Sequence, residues 1–539
     1  MRNNLIVLGI DAASAVLLRR WTTEGKLPAF QRLMQQGTSG WVSGVKGFYI
    51  GSTWPSFYTG LNPANHGFYR IEQIESASYR FFRPLESSNG IGGIPFWKQA
   101  SDAGRRVVVL DVPLSQLDPD LNGMQLVEWG GHDSVFGFRA SPAALVDEIQ
   151  SGVGAYPLPS TCDGRRKNAG DFEQFVAGLE AAVDKKLELT LKLLERETWN
   201  LFVQVFTEAH CAGHQCWHIH DATHPSHDPH VRAVVGDPLE RVYRAIDRAV
   251  GAIAERAGNS RILVVSAHGM GAFRGADFLL PEILYRLGVT ARPSNRTPQG
   301  RTAAHRVAGT LRTTWRKLPR VARESLRPLR TRLVAGFPGI SLGSRLPADV
   351  TRSQCFPVPN GSAVSGIRLN LAGREPHGVL QPGRESDAFC EQLAQDLSEI
   401  IDERTGKPLV ANVERTDALY RGKRQDALPD LLVEWDDTVA TGTFVHAGGR
   451  GAMVRATSEK IGLVEGTNKY GRTGEHVSTG MFICAGPGIR AGARKEPVSV
   501  MDMHPSICKL LDLPLPNVDG EVIPELAHDA SGDFSSPTT

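Results

Sequence analysis

Three apolar runs constrain this chain most, because each reads as a strand buried on both faces. Leu5-Ile6-Val7-Leu8-Gly9-Ile10 ends in Asp11 and two alanines. Trp199 to Phe206 runs into Thr207-Glu208-Ala209-His210-Cys211-Ala212-Gly213-His214, and Arg261 to Val265 ends in Ser266-Ala267-His268-Gly269-Met270-Gly271. A fourth stretch, Gly480 to Ile489, follows Gly474-Glu475-His476. Such strands belong to an open α/β sheet, where ligands bind at the carboxyl ends of the strands. Each segment offers Asp or His beside a strand, so the four point to one shared site.

The run from Gly51 to Gly67, Gly-Ser-Thr-Trp-Pro-Ser-Phe-Tyr-Thr-Gly-Leu-Asn-Pro-Ala-Asn-His-Gly, adds a hydroxyl at a Pro-anchored helix start. Thr53 there lies where free backbone N–H groups and the helix dipole favour an anion such as phosphate. Its register with Pro55 makes Thr53, rather than Ser52, the candidate nucleophile.

In order and spacing these motifs resemble the alkaline phosphatase superfamily, specifically its type I phosphodiesterase/nucleotide pyrophosphatase branch, from Leu5 to about Leu526. Asp502-Met503-His504-Pro505-Ser506 belongs to the same resemblance. It implies an alkaline-phosphatase-like sandwich with a central, mostly parallel sheet flanked by helices. It also implies two divalent cations, usually zinc, on either side of the nucleophile and the phosphate. Carried over by position, Asp11, Thr53 and His268 match one metal site, while His214 and His476 match the other.

Two positions depart from the family pattern. His210 stands where an Asp is usual four residues before His214, and Ala267 stands where an Asp is usual before His268. The first change keeps a ligand and gives a three-histidine site with an open position. The second removes one, leaving Asp11, His268 and the Thr53 oxygen to be completed by water, substrate or Glu208 as an auxiliary ligand. The second site is then weak, shares Glu208 or His210 with the first, or is absent. Histidine-rich ligation favours zinc over magnesium, with manganese as the alternative.

The resemblance implies metal-dependent hydrolysis of phosphate esters, a phosphodiester or pyrophosphate-linked substrate, through a phospho-threonine on Thr53. The alternatives are a phosphomonoesterase and a degenerate member that binds a phosphorylated ligand without turnover. A sulfatase is disfavoured, because Phe57 occupies the Arg position of the sulfatase motif and Thr53 is not a formylglycine precursor.

Other residues read more plainly. His218, His220, His224, His227 and His230, with Asp221 and Asp228, are expected to stitch a polar loop. His66 and His132 read as turn residues that could line the pocket, and Asn360-Gly361-Ser362 reads as a turn. Seven scattered cysteines show no disulfide or zinc-finger spacing and fit a reducing compartment. The six-residue apolar run before Asp11 is too short to span a membrane and lacks a signal cleavage region, so a cytoplasmic protein without a transmembrane segment is expected.

The 539 residues carry a net charge of +2, unevenly spread. From Arg286 to Arg332 arginines dominate and Glu324 is the lone carboxylate between them, with apolar residues at helical spacing after Ala303. This basic helical insertion is expected to cap the site, to bind an acidic substrate or carrier, or to touch an anionic surface through 301–332. No nucleic acid partner is expected. The expected organisation is a first part of the catalytic core over 1–285, a basic cap or linker over 286–350, a small subdomain and return to the core over 351–526, and a flexible tail over 527–539.

Overall fold

The computed structural model describes residues 4–86, 90–131, 134–159, 163–164, 166–196, 198–293, 346, 348–436, 453–468 and 471–527. The chain is α/β, built on a ten-stranded sheet. Its strands include β1 (Leu5–Ile10), β2 (Thr38–Ser43), β3 (Val107–Leu110), β4 (Gly123–Val127), β5 (Arg139–Ser141), β6 (Leu201–Phe206), β7 (Arg261–Ser266) and, after two hairpin strands outside this sheet, Thr479–Ala485. Those two are β8 (Gly269–Ala272) and β9 (Gly474–Val477), which makes Thr479–Ala485 β10. The order is β2-β10-β7-β1-β6-β3-β4-β5, with two short strands, Gly492–Ala493 and Val498–Ser499, paired to β2. The centre, β7-β1-β6-β3-β4, is parallel throughout, while β10 runs antiparallel between β2 and β7.

The unbroken apolar runs follow from burial on both faces. In β1, Ile6, Leu8 and Ile10 enter one core and Leu5 and Val7 the other. The first core is closed by helices α1 (Ala15–Thr23), α2 (Pro28–Gln36), α4 (Ala169–Arg196), α5 (Glu208–His220) and α6 (Pro238–Arg256), and the second by α3 (Thr53–Thr59) and α7 (Met503–Leu510). Gly9 lacks a side chain for a reason: a Cβ there would stand 2.8 Å from the Trp54 ring.

At the carboxyl edge three of the parallel strands end abruptly. β1, β3 and β4 are each followed by a non-glycine residue in the left-handed region, Ala12 (φ 49°), Asp111 (φ 52°) and Glu128 (φ 58°). That conformation is costly and persists only where surrounding contacts fix it. It turns the chain sharply away and leaves the strand ends open towards the site.

A smaller antiparallel sheet is assembled from Cys355–Val358, Val364–Leu369, Leu431–Trp435 and Val410–Arg415, in that order, with the helix Arg384–Ser398 against it. Ile367, Val433, Leu393 and Leu397 form its core. The loop Pro359 to Ser362 projects from it towards the carboxyl edge of the main sheet. The basic helical segment expected over 301–332 and the tail expected after 527 fall outside the described residues, apart from Arg286 to Arg292 at the start of the basic stretch.

Candidate active site

The site lies in a cleft of about 690 Å³ at the carboxyl edge of the sheet. Asp11, at the tip of β1, accepts a hydrogen bond of 2.7 Å from the Trp54 indole, and its Oδ1 stands 3.9 Å from His268 Nε2. His268 follows β7 and is almost wholly buried, which pushes its imidazole down to about 3 and keeps it neutral at pH 7.

Three further histidines converge beside it. His210 and His214 lie one turn apart on α5, and His476 comes from β9, which pairs with β8 so that His476 stands opposite Met270. The Nε2 atoms of His210 and His214 lie 3.2 and 3.1 Å from His476 Nε2. His214 Nδ1 is 2.7 Å from the Gly474 carbonyl, which can only accept, so Nδ1 carries the proton and Nε2 offers a lone pair. Nitrogens on a tetrahedral zinc at ordinary bond lengths stand about 3.3 Å apart. The observed spacing fits a metal held by the three rings, and the ligand atoms of this buried trio all lie within 4.8 Å of one another.

Glycines permit this approach. A Cβ on Gly474 would meet the Gly213 carbonyl at 2.2 Å, and one on Gly213 would meet Met270 Cγ at 2.5 Å. Without side chains at these positions β9 and β8 settle directly on α5.

The second expected ligand set is less complete. Ala267 is buried and offers no donor. Thr53 opens α3 as expected, yet its hydroxyl donates to the Tyr49 carbonyl at 2.8 Å and the residue is fully buried. The chain is already turning before Thr53, with Ser52 in the αR region, so a carbonyl four residues back is within reach. Ser52 is bonded instead to the Phe68 carbonyl. Among the described residues, the histidine trio is the only group of three or more His, Cys, Asp and Glu side chains close enough to share an ion.

Glu208 is placed away from the trio. Its Oε1 accepts from the Tyr156 hydroxyl at 2.7 Å and pairs with Lys186 Nζ at 3.2 Å, all in the protein interior. His66 is also interior and does not line the cleft: its Nδ1 accepts from the Phe68 amide, and its Nε2 meets the Ser56 hydroxyl at 3.0 Å. In the histidine-rich stretch, His218 meets Thr473, His220 pairs with Asp237, His227 bonds the His218 carbonyl, and Asp228 caps the following helix.

Sequence reading missed Arg472 and Asp163. Arg472 Nη1 stands 3.5 Å from His214 Nε2, and its guanidinium is held by both oxygens of Asp163 at 2.8 Å. A cation four residues before His476 was the available signal. Ile50, Leu114, Pro357, Val358 and Leu280 give the cleft its apolar lining. Glu475 also lines the cleft, and burial raises its carboxyl above the usual range.

Residues 5–306 match the type I phosphodiesterase / nucleotide pyrophosphatase family. The chain belongs to that family. No curated protein matches the sequence. Two solved structures of murine ectonucleotide pyrophosphatase / phosphodiesterase 5 are similar at 13% identity and a TM-score of 0.44, covering 96% of this chain and 98% and 97% of theirs; one is an inactive variant in complex with AMP. Type I phosphodiesterase / nucleotide pyrophosphatase family members are phosphodiester and pyrophosphate hydrolases that generally use divalent metals, and the buried trio has the donor set to hold one. Among the described residues no helix is long and apolar enough to cross a membrane.

Proposed function

We propose that this protein hydrolyses phosphate esters, a phosphodiester or a pyrophosphate-linked substrate, with Thr53 as nucleophile and a divalent ion, zinc before manganese, on His210, His214 and His476. The approach of two Nε2 atoms, those of His210 and His214, to within 3.2 Å of His476 Nε2 supports this reading most. A bound ion there supplies positive charge for the phosphoryl oxygens and lowers the pKa of a hydroxyl at the site.

The chain's own residues supply the rest. Thr53 gives up its bond to Tyr49, attacks phosphorus and becomes a phospho-threonine, while the alcohol leaves from the opposite side. Asp11 and His268, whose carboxylate oxygen and ring nitrogen stand 3.9 Å apart, are the remaining expected ligands on the Thr53 side, and an ion held there would lower the hydroxyl's pKa without a separate organic base. Arg472 meets the anionic substrate at the rim, and the apolar lining excludes water from the organic group. Water then attacks the same phosphorus, releasing the phosphate monoester and restoring the Thr53 hydroxyl. The six described cysteines are buried and form no disulfide among themselves, which supports a reducing, cytoplasmic setting.

The test is hydrolysis of an aryl phosphodiester and an aryl phosphomonoester by zinc-loaded wild type and Thr53→Ala. Turnover of the diester by wild type alone is expected. Activity indifferent to Thr53, or none in either protein while ligand binding persists, defeats the proposal and favours the non-catalytic binder.

A further inference from the structure

Beneath the first turn of α5 lies a charged pair for which the hydrolytic reading has no use. Lys186, on α4, and Glu208, the first residue of α5, are both fully buried. Lys186 Nζ sits 3.2 Å from Glu208 Oε1, 3.1 Å from the Val205 carbonyl at the end of β6, and 3.0 Å from the Thr207 hydroxyl. Thr207 in turn donates to the Gly130 carbonyl at 2.8 Å, and the Tyr156 hydroxyl donates to Glu208 Oε1 at 2.7 Å. Gly130 is needed there, since a Cβ would press on the Lys186 stem at 2.6 Å.

One ammonium therefore clamps the end of β6, the strand-to-helix turn and the first residue of α5. His210 follows Glu208 by two residues, so the turn that is clamped is the one that carries it. His214 has its own restraint in the Gly474 carbonyl, and His476 belongs to a separate strand pair. His210 lies in the first turn of α5, and from there its ring reaches His476.

We propose that the Lys186–Glu208 pair is a positioning device that fixes His210 in the geometry needed to share an ion with His214 and His476. This rests on reading the trio as a metal site. Burying two charges is expensive, and replacing such a pair by apolar residues often leaves a protein as stable or more so. A fold that retains one directly under a ligand-bearing turn gains orientation from it, because ammonium and carboxylate demand defined partners where a leucine would slide.

The experiment is calorimetric titration of the full chain with Zn²⁺, comparing wild type, Lys186→Met, Glu208→Gln, the charge-free pair Lys186→Met/Glu208→Gln and the conservative Lys186→Arg. Lys192→Met, which removes an exposed pair with Glu188, is the control. Circular dichroism and melting confirm folding, and the charge-free pair removes the cost of an orphaned charge should a single variant fail to fold. The expected result is Zn²⁺ binding weakened by about 10- to 100-fold in Lys186→Met, Glu208→Gln and the charge-free pair, with partial rescue in Lys186→Arg and no change in the control. A purely stabilising role predicts the opposite for the charge-free pair, namely a changed melting temperature with wild-type Zn²⁺ affinity. Equal affinity in wild type and the folded variants overturns this inference alone. No Zn²⁺ uptake by wild type overturns the metal reading and this inference with it.

Discussion

The Gly474 carbonyl accepts the Nδ1 proton of His214 at 2.7 Å, and the same glycine, by having no side chain, lets its strand reach the helix that carries that histidine. Tautomer and distance are thus fixed by one residue. Gly474→Ala is expected to force β9 from α5, because its methyl would meet a backbone oxygen at 2.2 Å. The loss should be about 1–3 kcal/mol of stability, with a larger proportional loss of Zn²⁺ affinity. Gly213→Ala meets only the flexible Met270 side chain and should cost less. Chemical denaturation and Zn²⁺ titration of both variants check the order.

Metal stoichiometry separates the two ligand sets. With Ala267 buried beside His268 and no carboxylate in its place, wild type should hold one equivalent of zinc. Ala267→Asp should hold a second, and should melt lower in chelator but recover with zinc, since a buried carboxylate is costly until it is paired. Elemental analysis of both proteins is the measurement. Two equivalents in wild type would show that the Asp11 and His268 pair is completed without a carboxylate at 267.

Arg472 is held by Asp163 at the mouth of the cleft and faces the trio. Arg472→Met is expected to raise KM for an anionic phosphodiester by about tenfold or more with a smaller change in kcat, as removal of a charged donor that meets substrate before and during reaction should do. An equal fall in kcat at constant KM would place the arginine in the transition state instead.

Acid should weaken the fold through His66. Burial, with Arg424 nearby, lowers its imidazole to about 3, against about 6.5 in an unfolded chain. Between those values the unfolded chain binds the proton and the folded one does not. The contribution to stability is therefore complete above about pH 6.5 and is lost as pH falls towards 3, with about 2 kcal/mol gone by pH 5. In denaturant titrations at pH 7 and pH 5, His66→Gln should show a smaller difference than wild type.

How far the sequence reveals this molecule depends on whether a residue's neighbours are local. β1 was legible because both its faces are buried, and so Asp11 could be placed at its tip. His210, His214 and His476 were grouped by the family resemblance, and the structure brings the three rings together. The direction of the Thr53 hydroxyl was not, because it depends on Ser52 already lying in the αR region, which nothing in Gly51-Ser52-Thr53 requires. Glu208 was expected near the metals and is turned inward by Lys186 and Tyr156, whose places in the chain give no hint of contact with it. Lys186, within Asp184-Lys185-Lys186, reads as an ordinary solvated helix residue. The strand expected from Trp199 begins at Leu201, since Trp199 packs back on the preceding helix and Asn200 bonds the Arg106 carbonyl.

The place of β10 between β2 and β7 bears on how the protein is made. Both neighbours precede it in the chain, and each pairs with it in antiparallel register. While residues 267 to 478 are being synthesised, the emerging sheet therefore has a slot with two unsatisfied edges, and His476 has yet to join its partners. An ion on His210, His214 and His476, as proposed, would therefore be bound only after residue 476 has been made, late in synthesis.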